Sequence, residues 1–361
     1  IGAPPEITPM VGEKHAERLK DPVNCTTTPS RKNRSSRHPD QRARTGTDPE
    51  SDRMLMFRHH ALSLIIFLFA LFFIIAITTP ALYLNDEWIT ANQLHQLDIG
   101  HQVTFSEGKY GVTQNGTVSA YFTQRQNVLL YSLALPVSAL PAVKLFGLFG
   151  DNFRLIVIII WSLCLVLIAL IADYVYPEYA KIRGMRIVFP VIGCALLLFM
   201  GNVLVYKQFP FLAPDAPFEV AAIVFTNHLL FALLVTIVFE TFRLILNDTR
   251  MALFGTLAGI SCSSYIFWAA AAKDHILSSA VLAFIIFFYI RYLLSGRMKD
   301  AFLAFVCSGL LIWVRPEIGF FVTVFSGLFF SIPRIRMFLY HDIDRSQFLR
   351  SLVPMAGAFF G

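Results

Sequence analysis

FRLIVIIIWSLCLVLIALIADYVY, residues 153–176, is the segment that most clearly identifies the fold class of this chain. Its charged side chains are Arg154 at the start and Asp173 near the end. An α-helix needs about 20 apolar residues to cross the hydrocarbon core of a bilayer, and this run is long enough. Further apolar runs lie at about 61–83, 186–206, 219–246, 251–272 and 276–294, with two shorter ones at 300–314 and 318–333.

The overall composition is that of a membrane protein. Of the 361 residues, 56% are hydrophobic and only 15% are charged, whereas soluble domains carry about 25% charged residues. Unbroken apolar runs of this length exclude a membrane β-barrel, whose strands alternate apolar and polar side chains over about ten residues. The sequence therefore predicts an all-α, polytopic membrane helix bundle.

Basic residues give the chain a net charge of +6. They lie mostly in short loops between apolar runs, where they set membrane orientation, so we do not expect a nucleic-acid partner. We expect these clusters and the N-terminal tail on the cytoplasmic side, with 84–126, 207–218, 273–275 and 315–317 facing outward. The clusters are Lys181/Arg183/Arg186, Arg243/Arg250, Arg291/Arg297/Lys299 and Arg334/Arg336/Arg345/Arg350.

Two regions follow from composition. Residues 1–53 are polar and rich in Pro, Arg, Ser and Thr, which predicts a disordered N-terminal tail. Met54 or Met56 would make a natural start, so the tail can also be interpreted as translated upstream sequence. Residues 54–361 form the predicted multi-spanning domain. The last apolar run is cut off at Gly361, so we expect a fragment truncated at its C-terminus.

The predicted outer loop and re-entrant helices occupy residues 84–152. Within it, 127–150 is apolar but contains Pro136 and Pro141. If this segment crossed the bilayer, every later loop would change sides and most basic clusters would face outward. We therefore expect 127–150 to be a helix pair that stays on the outer side or re-enters the membrane.

Acidic residues stand where the first span ends. Asp86 and Glu87 follow it directly, and the next residues predict a short interfacial helix. In this helix an apolar side of Leu94, Leu97 and Ile99 would oppose His95, Gln96 and Asp98. Two interpretations of the acids stay open: chemistry at the membrane boundary, or the N-cap and first turn of that helix.

Three later outer loops also carry ionisable residues. For each, a plainer interpretation stays open: a helix start, a membrane-boundary marker, or a local Arg315–Glu317 pair. Together, however, they supply carboxylates and cations at one face, as a reaction on a lipid-linked phosphate requires. The residues concerned are Lys207 and Asp215 in the second outer loop, Lys273-Asp274-His275 in the third and Arg315-Pro316-Glu317 in the fourth.

Short motifs support one family. Asp86-Glu87 stands after the first span, and a Pro-containing segment leads to Leu145-Phe146-Gly147-Leu148-Phe149-Gly150 and then Arg154. Trp313-Val314-Arg315-Pro316-Glu317 follows at a later outer boundary. This layout over about 55–333 resembles the GT-C glycosyltransferases, which include protein O-mannosyltransferases and the lipid A aminoarabinose transferase. The His-Pro-Pro motif of the O-mannosyltransferases is missing, so the acceptor is not implied.

The resemblance implies a GT-C-like architecture with a large first outer loop bearing interfacial helices. It implies transfer of a hexose or pentose from a polyprenyl-phosphate donor to a glycan, lipid or protein acceptor, with inversion. Asp86 would be the catalytic base with Glu87 beside it. No cofactor is implied, although acidic residues from two loops could meet around a divalent metal. The remaining candidates, for substrate binding, are Arg125, Lys207, Asp215, Lys273, Asp274, His275, Arg315 and Glu317.

Two other classes stay open. A transporter or permease predicts ionisable residues near the bilayer midplane and broken helices in paired halves. A non-catalytic membrane scaffold predicts no need for carboxylates clustered on one face. For any of the three we expect a multi-pass protein of a prokaryotic plasma membrane with its N-terminus in the cytoplasm.

Overall fold

The structure is a computed structural model that describes residues 49–78, 87–100, 124–125, 128–129, 131–177, 187–206, 218–261, 263–340 and 343–361. All of them belong to one compact unit, Pro49–Gly361. The tail predicted for residues 1–53 lies outside the described residues as far as residue 48. Residues 49–53, predicted as part of the disordered tail, instead belong to the first helix, which begins at Pro49.

The described chain is an all-α, polytopic helix bundle, as the apolar runs predict. Two short strands, β1 (Gln124–Arg125) and β2 (Val128–Leu129), pair antiparallel, and 3₁₀ turns occupy Gly150–Asn152 and Val353–Phe359. The α-helices are α1 (Pro49–Ile77), α2 (Glu87–Asp98), α3 (Ala134–Phe149), α4 (Phe153–Val175), α5 (Val188–Tyr206), α6 (Phe218–Leu246), α7 (Thr249–Ile260), α8 (Ser263–Ala270), α9 (His275–Ser295), α10 (Met298–Val314), α11 (Pro316–Leu339) and α12 (Arg345–Leu352).

Six of the described helices are long and apolar enough to cross a bilayer, and the chain is a multi-pass integral membrane protein. A seventh span exists if the bent pair α7–α8 crosses as one unit. The six are His60–Ile77, Phe153–Val175, Val188–Val205, Phe218–Leu246, His275–Ser295 and Pro316–Leu339.

Helix α6 lies at the centre of the bundle. Its first half is buried almost all round, since Val220, Ala222 and Val224 are fully inaccessible to solvent. Ser63 of α1 donates a hydrogen bond to Glu240 near the far end of α6. Thr78, just beyond the end of α1, meets His228 in the first half of α6. The two helices therefore run antiparallel, with the end of α1 beside the start of α6.

The pair of helices expected at 127–150 is wrong: α3 is a single helix that runs through Pro141. Pro136 lies in the first helical turn, where a backbone N–H has no intrahelical partner to lose. Pro141 lies on the exposed side of α3, away from the core. The buried side packs inward, and the ring of Phe146 lies 5.7 Å from that of Phe225 in α6.

The apolar run at 251–272, predicted as one span, forms two helices rather than one. Helices α7 and α8 meet at a bend of 68°. The bend follows Ser261, whose hydroxyl hydrogen-bonds the carbonyl of Leu257 one turn back, an arrangement that competes with the backbone ladder and often bends helices. The bend brings the end of α8 close to the start of α9.

Candidate functional site

One end of the bundle is held together by hydrogen bonds between helix ends and junctions. We call it the polar end; it comprises Thr78, Glu87–Asp98, Tyr131–Leu133, Phe218–His228, Ala271–His275 and Trp313–Glu317. The linking contacts are Thr78 Oγ1 to His228 Nε2 at 2.7 Å, Gln93 Nε2 to the Tyr131 carbonyl at 2.9 Å, Asn227 Nδ2 to the Lys273 carbonyl at 2.9 Å and Ser132 Oγ to the Trp313 carbonyl at 2.8 Å.

Three predicted residues form one cluster at this end. The guanidinium of Arg315 donates to both carboxylate oxygens of Asp274, with Nε–Oδ2 at 3.2 Å and Nη2–Oδ1 at 2.8 Å. Nη2 also lies 3.0 Å from Nδ1 of His275. The Asp274 carboxylate raises the pKa of Arg315 above its ordinary value because it accepts these hydrogen bonds. Arg315 is therefore a fixed, permanently charged cation.

The backbone around Arg315 explains its position. Pro316 begins α11, and a residue before proline is pushed out of the helical region. Arg315 accordingly has extended dihedral angles, φ −142° and ψ 93°, and ends α10 while it precedes α11. Gly319 lets the two helices approach closely, since a Cβ there would overlap the backbone nitrogen of Ile312. The tight hairpin points the arginine toward the start of α9.

Local pairing of Arg315 with Glu317 was the simpler interpretation of the sequence, and it is wrong. Glu317 lies exposed in the first turn of α11, and its charge adds only a minor Coulombic contribution to Arg315. The partner, Asp274, is 41 residues earlier in the chain. A pairing across two helix junctions cannot be read from local spacing.

A cavity of about 270 Å³ opens beside this cluster and is lined by both Arg315 and His275. The His275 ring also lies against the Trp268 ring, with ring centroids 3.7 Å apart and the ring planes tilted by 40°. Nη1 of Arg315 makes no hydrogen bond to any described residue. The aromatic and hydroxyl groups of the lining are Ser264, Tyr265, Trp268, Ser278 and Ser279.

Lys273 and Asn227 support the same junction. Lys273 is 6% exposed, and its Nζ lies 4.7 Å from the centre of the Tyr131 ring, a cation–π distance. The Nδ2 amide of Asn227, in the buried half of α6, donates to the carbonyls of Ala271 at 2.7 Å and Lys273 at 2.9 Å. These two carbonyls lie in the junction between α8 and α9, and the Asn227 amide satisfies their hydrogen-bonding capacity inside the bundle.

Helix α2 confirms the short helix expected after the first span, but its polar side is not an exposed interfacial surface. Gln96, expected on the polar side, is 4% exposed, and Gln93 and Glu87 are fully buried. His95 Nδ1 lies 2.9 Å from Glu219 Oε1, which joins α2 to the first turn of α6. The helix is buried because other helices cover it, which its own periodicity does not reveal.

His228 was missed in the sequence analysis. It lies inside the span formed by α6, is 4% exposed and faces a cavity of about 40 Å³ that Thr78 and Arg154 also line. Its Nδ1 has no hydrogen-bond partner among the described residues. The available signal was a lone ionisable residue within an apolar run, which in a membrane is a functional candidate by default.

The remaining predicted residues are separate from the Arg315 cluster or not described. Asp86, Lys207 and Asp215 lie outside the described residues, so the base predicted at Asp86 has no described geometry. Arg125 belongs to β1, whose side chains are not described. Among the described ranges, no group of three or more His, Cys, Asp or Glu side chains is arranged to hold a metal ion.

Comparison with models of protein families, with curated proteins and with solved structures finds no match for this chain.

Proposed function

We propose that this protein is a membrane glycosyltransferase that moves a hexose or pentose from a polyprenyl-phosphate donor to an acceptor, with a GT-C-like architecture. The supporting observation is the Arg315 guanidinium, fixed by Asp274 at the wall of a 270 Å³ cavity among the ends of spanning helices. Because Nε and Nη2 are bonded to Asp274, Nη1 remains to donate charge-assisted hydrogen bonds to a phosphate, and the orienting carboxylate reduces the freedom lost on binding.

In the proposed reaction, an acceptor hydroxyl attacks the anomeric carbon of the donor sugar. The new C–O bond forms as the bond from that carbon to the phosphate oxygen breaks, and the phosphate leaves with the electron pair. Asp86 takes the hydroxyl proton, and Glu87 lies beside it in the sequence. Arg315 stabilises the charge that develops on the leaving phosphate. A single displacement inverts the anomeric centre.

We also propose that the polar end faces outward and the N-terminus is cytoplasmic, in a prokaryotic plasma membrane. The basic clusters between helices support this orientation. A single cysteine placed at Lys181, between α4 and α5, in a background without native cysteines, is then expected to react only after a membrane-impermeant maleimide gains access to the inside. A matched cysteine at Glu317, in the first turn of α11 at the polar end, is expected to react from outside. Labelling of position 181 from outside would reverse the orientation.

The direct test of function is sugar transfer in membranes that carry the protein. Radiolabelled polyprenyl-phosphate sugars are supplied as donors, and transfer is followed with the wild type and with Asp86→Asn. Loss of a general base typically costs 10²- to 10⁴-fold, so we expect Asp86→Asn to lose at least about 100-fold in rate.

Arg250→Gln is the matched control, since Arg250 is exposed at the start of α7, beyond the end of α6 opposite the polar end. We expect it to retain wild-type transfer. Full transfer by a folded Asp86→Asn variant would remove Asp86 as the base. Absence of transfer with every donor, in folded wild-type protein, would overturn the glycosyltransferase proposal.

A transporter is the second candidate, and one observation favours it. The central spanning helix α6 carries His228 and Glu219, 4% and 0% exposed, deep among other helices. Ionisable groups buried in spans mark substrate or proton pathways in transporters. Uptake or counterflow of a solute by reconstituted protein, reduced by His228→Leu, would support this alternative, and glycosyl transfer without any such flux would exclude it.

A further inference from the structure

A second unusual cation lies at the opposite end of α11. Arg334 is a charged residue within a spanning helix, and it is only 6% exposed. Its Nη1 donates to the Phe330 carbonyl, its Nη2 donates to the Tyr292 hydroxyl, and Cζ lies 3.4 Å from the centre of the Phe330 ring. Within the part of the chain that the structure describes, its Nε has no hydrogen-bond partner. None of the described Asp or Glu side chains forms an ion pair with it.

The position of Arg334 on α11 places it beneath the C-terminal segment. Ser331 of α11 contacts Met355, and Phe338 stacks on Phe348 of α12 at 4.9 Å. Residues three and four apart share one helix face, so Arg334 lies on the same side of α11 as both. Tyr292 adds α9 as the third wall. Arg334 thus lies on the side of α11 that faces α9 and the C-terminal segment.

The depth of Arg334 along α11 suits contact with a lipid headgroup. Arg334 precedes the end of α11 at Leu339 by five residues, or roughly 7 Å along the axis. This distance places the guanidinium near the boundary between acyl chains and headgroups. Leu349 and Val353, on and after α12, are 55% and 61% exposed. Exposed apolar side chains next to cations are typical of a helix that lies in the membrane interface.

The surface around Arg334 is basic. Arg336, Arg345 and Arg350 are exposed, and Asp344, which caps α12, is the one acid among the described residues 331–361. Asp342 lies outside the described residues. The nearby Asp300 is already paired with Arg291 at 3.4 Å. We call Tyr292, Arg334, Arg336, Arg345 and Arg350 the basic corner.

A buried cation without a counter-charge is costly in a low-dielectric environment, since the loss of hydration is repaid only by pairing and hydrogen bonds. Ionisable residues are rare within membrane spans, and those that occur usually pair with one another or belong to a functional site. The described protein supplies a hydroxyl, a carbonyl and two aromatic rings to Arg334, all neutral. The charge complement that is still lacking is an anion at headgroup depth.

We propose that the basic corner binds the phosphate of an anionic phospholipid. Arg334 and Tyr292 form the inner part of the site, and the three exposed arginines attract the negative headgroup, as juxtamembrane basic residues do at anionic leaflets. This site is distinct from the polar end, since it lies at the other end of α11. It does not depend on the proposed transferase activity.

The test measures lipid binding to the whole protein purified in a non-ionic detergent. Native mass spectrometry or the thermal midpoint is followed during titration with phosphatidylglycerol, with phosphatidylcholine of the same acyl chains and with inorganic phosphate. We expect phosphatidylglycerol to bind and stabilise, and the other two to have little effect. Arg334→Gln is expected to weaken phosphatidylglycerol binding at least about tenfold, the scale of a lost hydrogen bond to a charged group.

The double variant Arg345→Gln/Arg350→Gln changes only exposed positions, so it tests the proposal even if Arg334→Gln fails to fold. We expect it to weaken phosphatidylglycerol binding by about fivefold for each arginine. Arg250→Gln, an exposed arginine on α7, is the control and is expected to bind as the wild type does. Equal binding by the double variant and the control, or equal binding of phosphatidylcholine, would overturn the proposal. Equal stabilisation by inorganic phosphate would also overturn it, in favour of a free-phosphate site.

Discussion

Replacing Arg315 with alanine is expected to lower kcat/KM for a lipid-linked sugar donor by about 100- to 1,000-fold, the usual effect of removing one preorganised charge stabiliser. The expected loss is large because the guanidinium is held in a fixed position. Asp274 holds the guanidinium by two hydrogen bonds at 3.2 and 2.8 Å, so the cation needs little rearrangement when charge develops on the phosphate. Initial rates with purified protein across donor concentrations provide the measurement.

Arg315→Lys separates charge from geometry. Lysine keeps the positive charge but lacks the planar fork that contacts Asp274 and an oxyanion together. We expect a loss of about tenfold in the same assay, smaller than for alanine, because one charge-assisted hydrogen bond is worth about that factor. Arg297→Ala, an exposed residue before α10 at the opposite end, is the control. If Arg315→Ala folds and retains more than half of the wild-type rate, Arg315 does not stabilise the leaving phosphate.

Asn227→Asp is expected to destabilise the fold by about 3–5 kcal/mol, the scale of a buried charge left without a partner. The Asn227 amide donates to two carbonyls, at 2.7 and 2.9 Å, from a position with no solvent exposure. An ionised aspartate would instead turn negative oxygens toward these acceptors. Thermal or denaturant unfolding in detergent, followed by tryptophan fluorescence, measures the loss.

Two comparisons make this prediction specific. Asn227→Leu removes the donors without adding charge and is expected to cost about 1–3 kcal/mol, the penalty for a buried acceptor left unsatisfied. Asn202→Asp in α5 affects an amide that bonds a single carbonyl of its own helix, Leu198, at a more exposed site. We expect a smaller loss there. Equal losses of stability for the Asp variants at positions 202 and 227 would contradict a special role for the two hydrogen bonds of Asn227.

The spans themselves were predictable because hydrocarbon imposes a length. The run at 153–176 became α4, Phe153–Val175, and the run at 276–294 became α9, His275–Ser295. The length of an apolar run does not indicate whether the helix it forms is straight or bent. The 68° bend between α7 and α8 therefore escaped the sequence analysis, although small polar residues follow Ser261. Pro141 misled in the other direction, because the loss of one backbone hydrogen bond at proline does not end α3.

The candidate site divides in the same way. Lys273, Asp274, His275 and Arg315 were selectable from sequence because ionisable residues stand out at the boundaries of apolar runs. Their association was not, because the Arg315–Asp274 contact joins positions 41 residues apart on different helix junctions. Burial of α2 and the role of Asn227 also depend on neighbours that no local pattern specifies.

The all-α, multi-pass membrane class of the chain and the positions of its polar boundaries can be inferred from the residues of each segment alone. Both follow from the free-energy cost of exposing charge and unpaired backbone groups to hydrocarbon, a cost that applies to every segment separately. Which boundary residues meet, which helix lies at the centre and which cations are buried became evident only in the packed bundle. These depend on the packing of helices against one another, and the free energies of side-chain pairs exist only once distant segments are in contact.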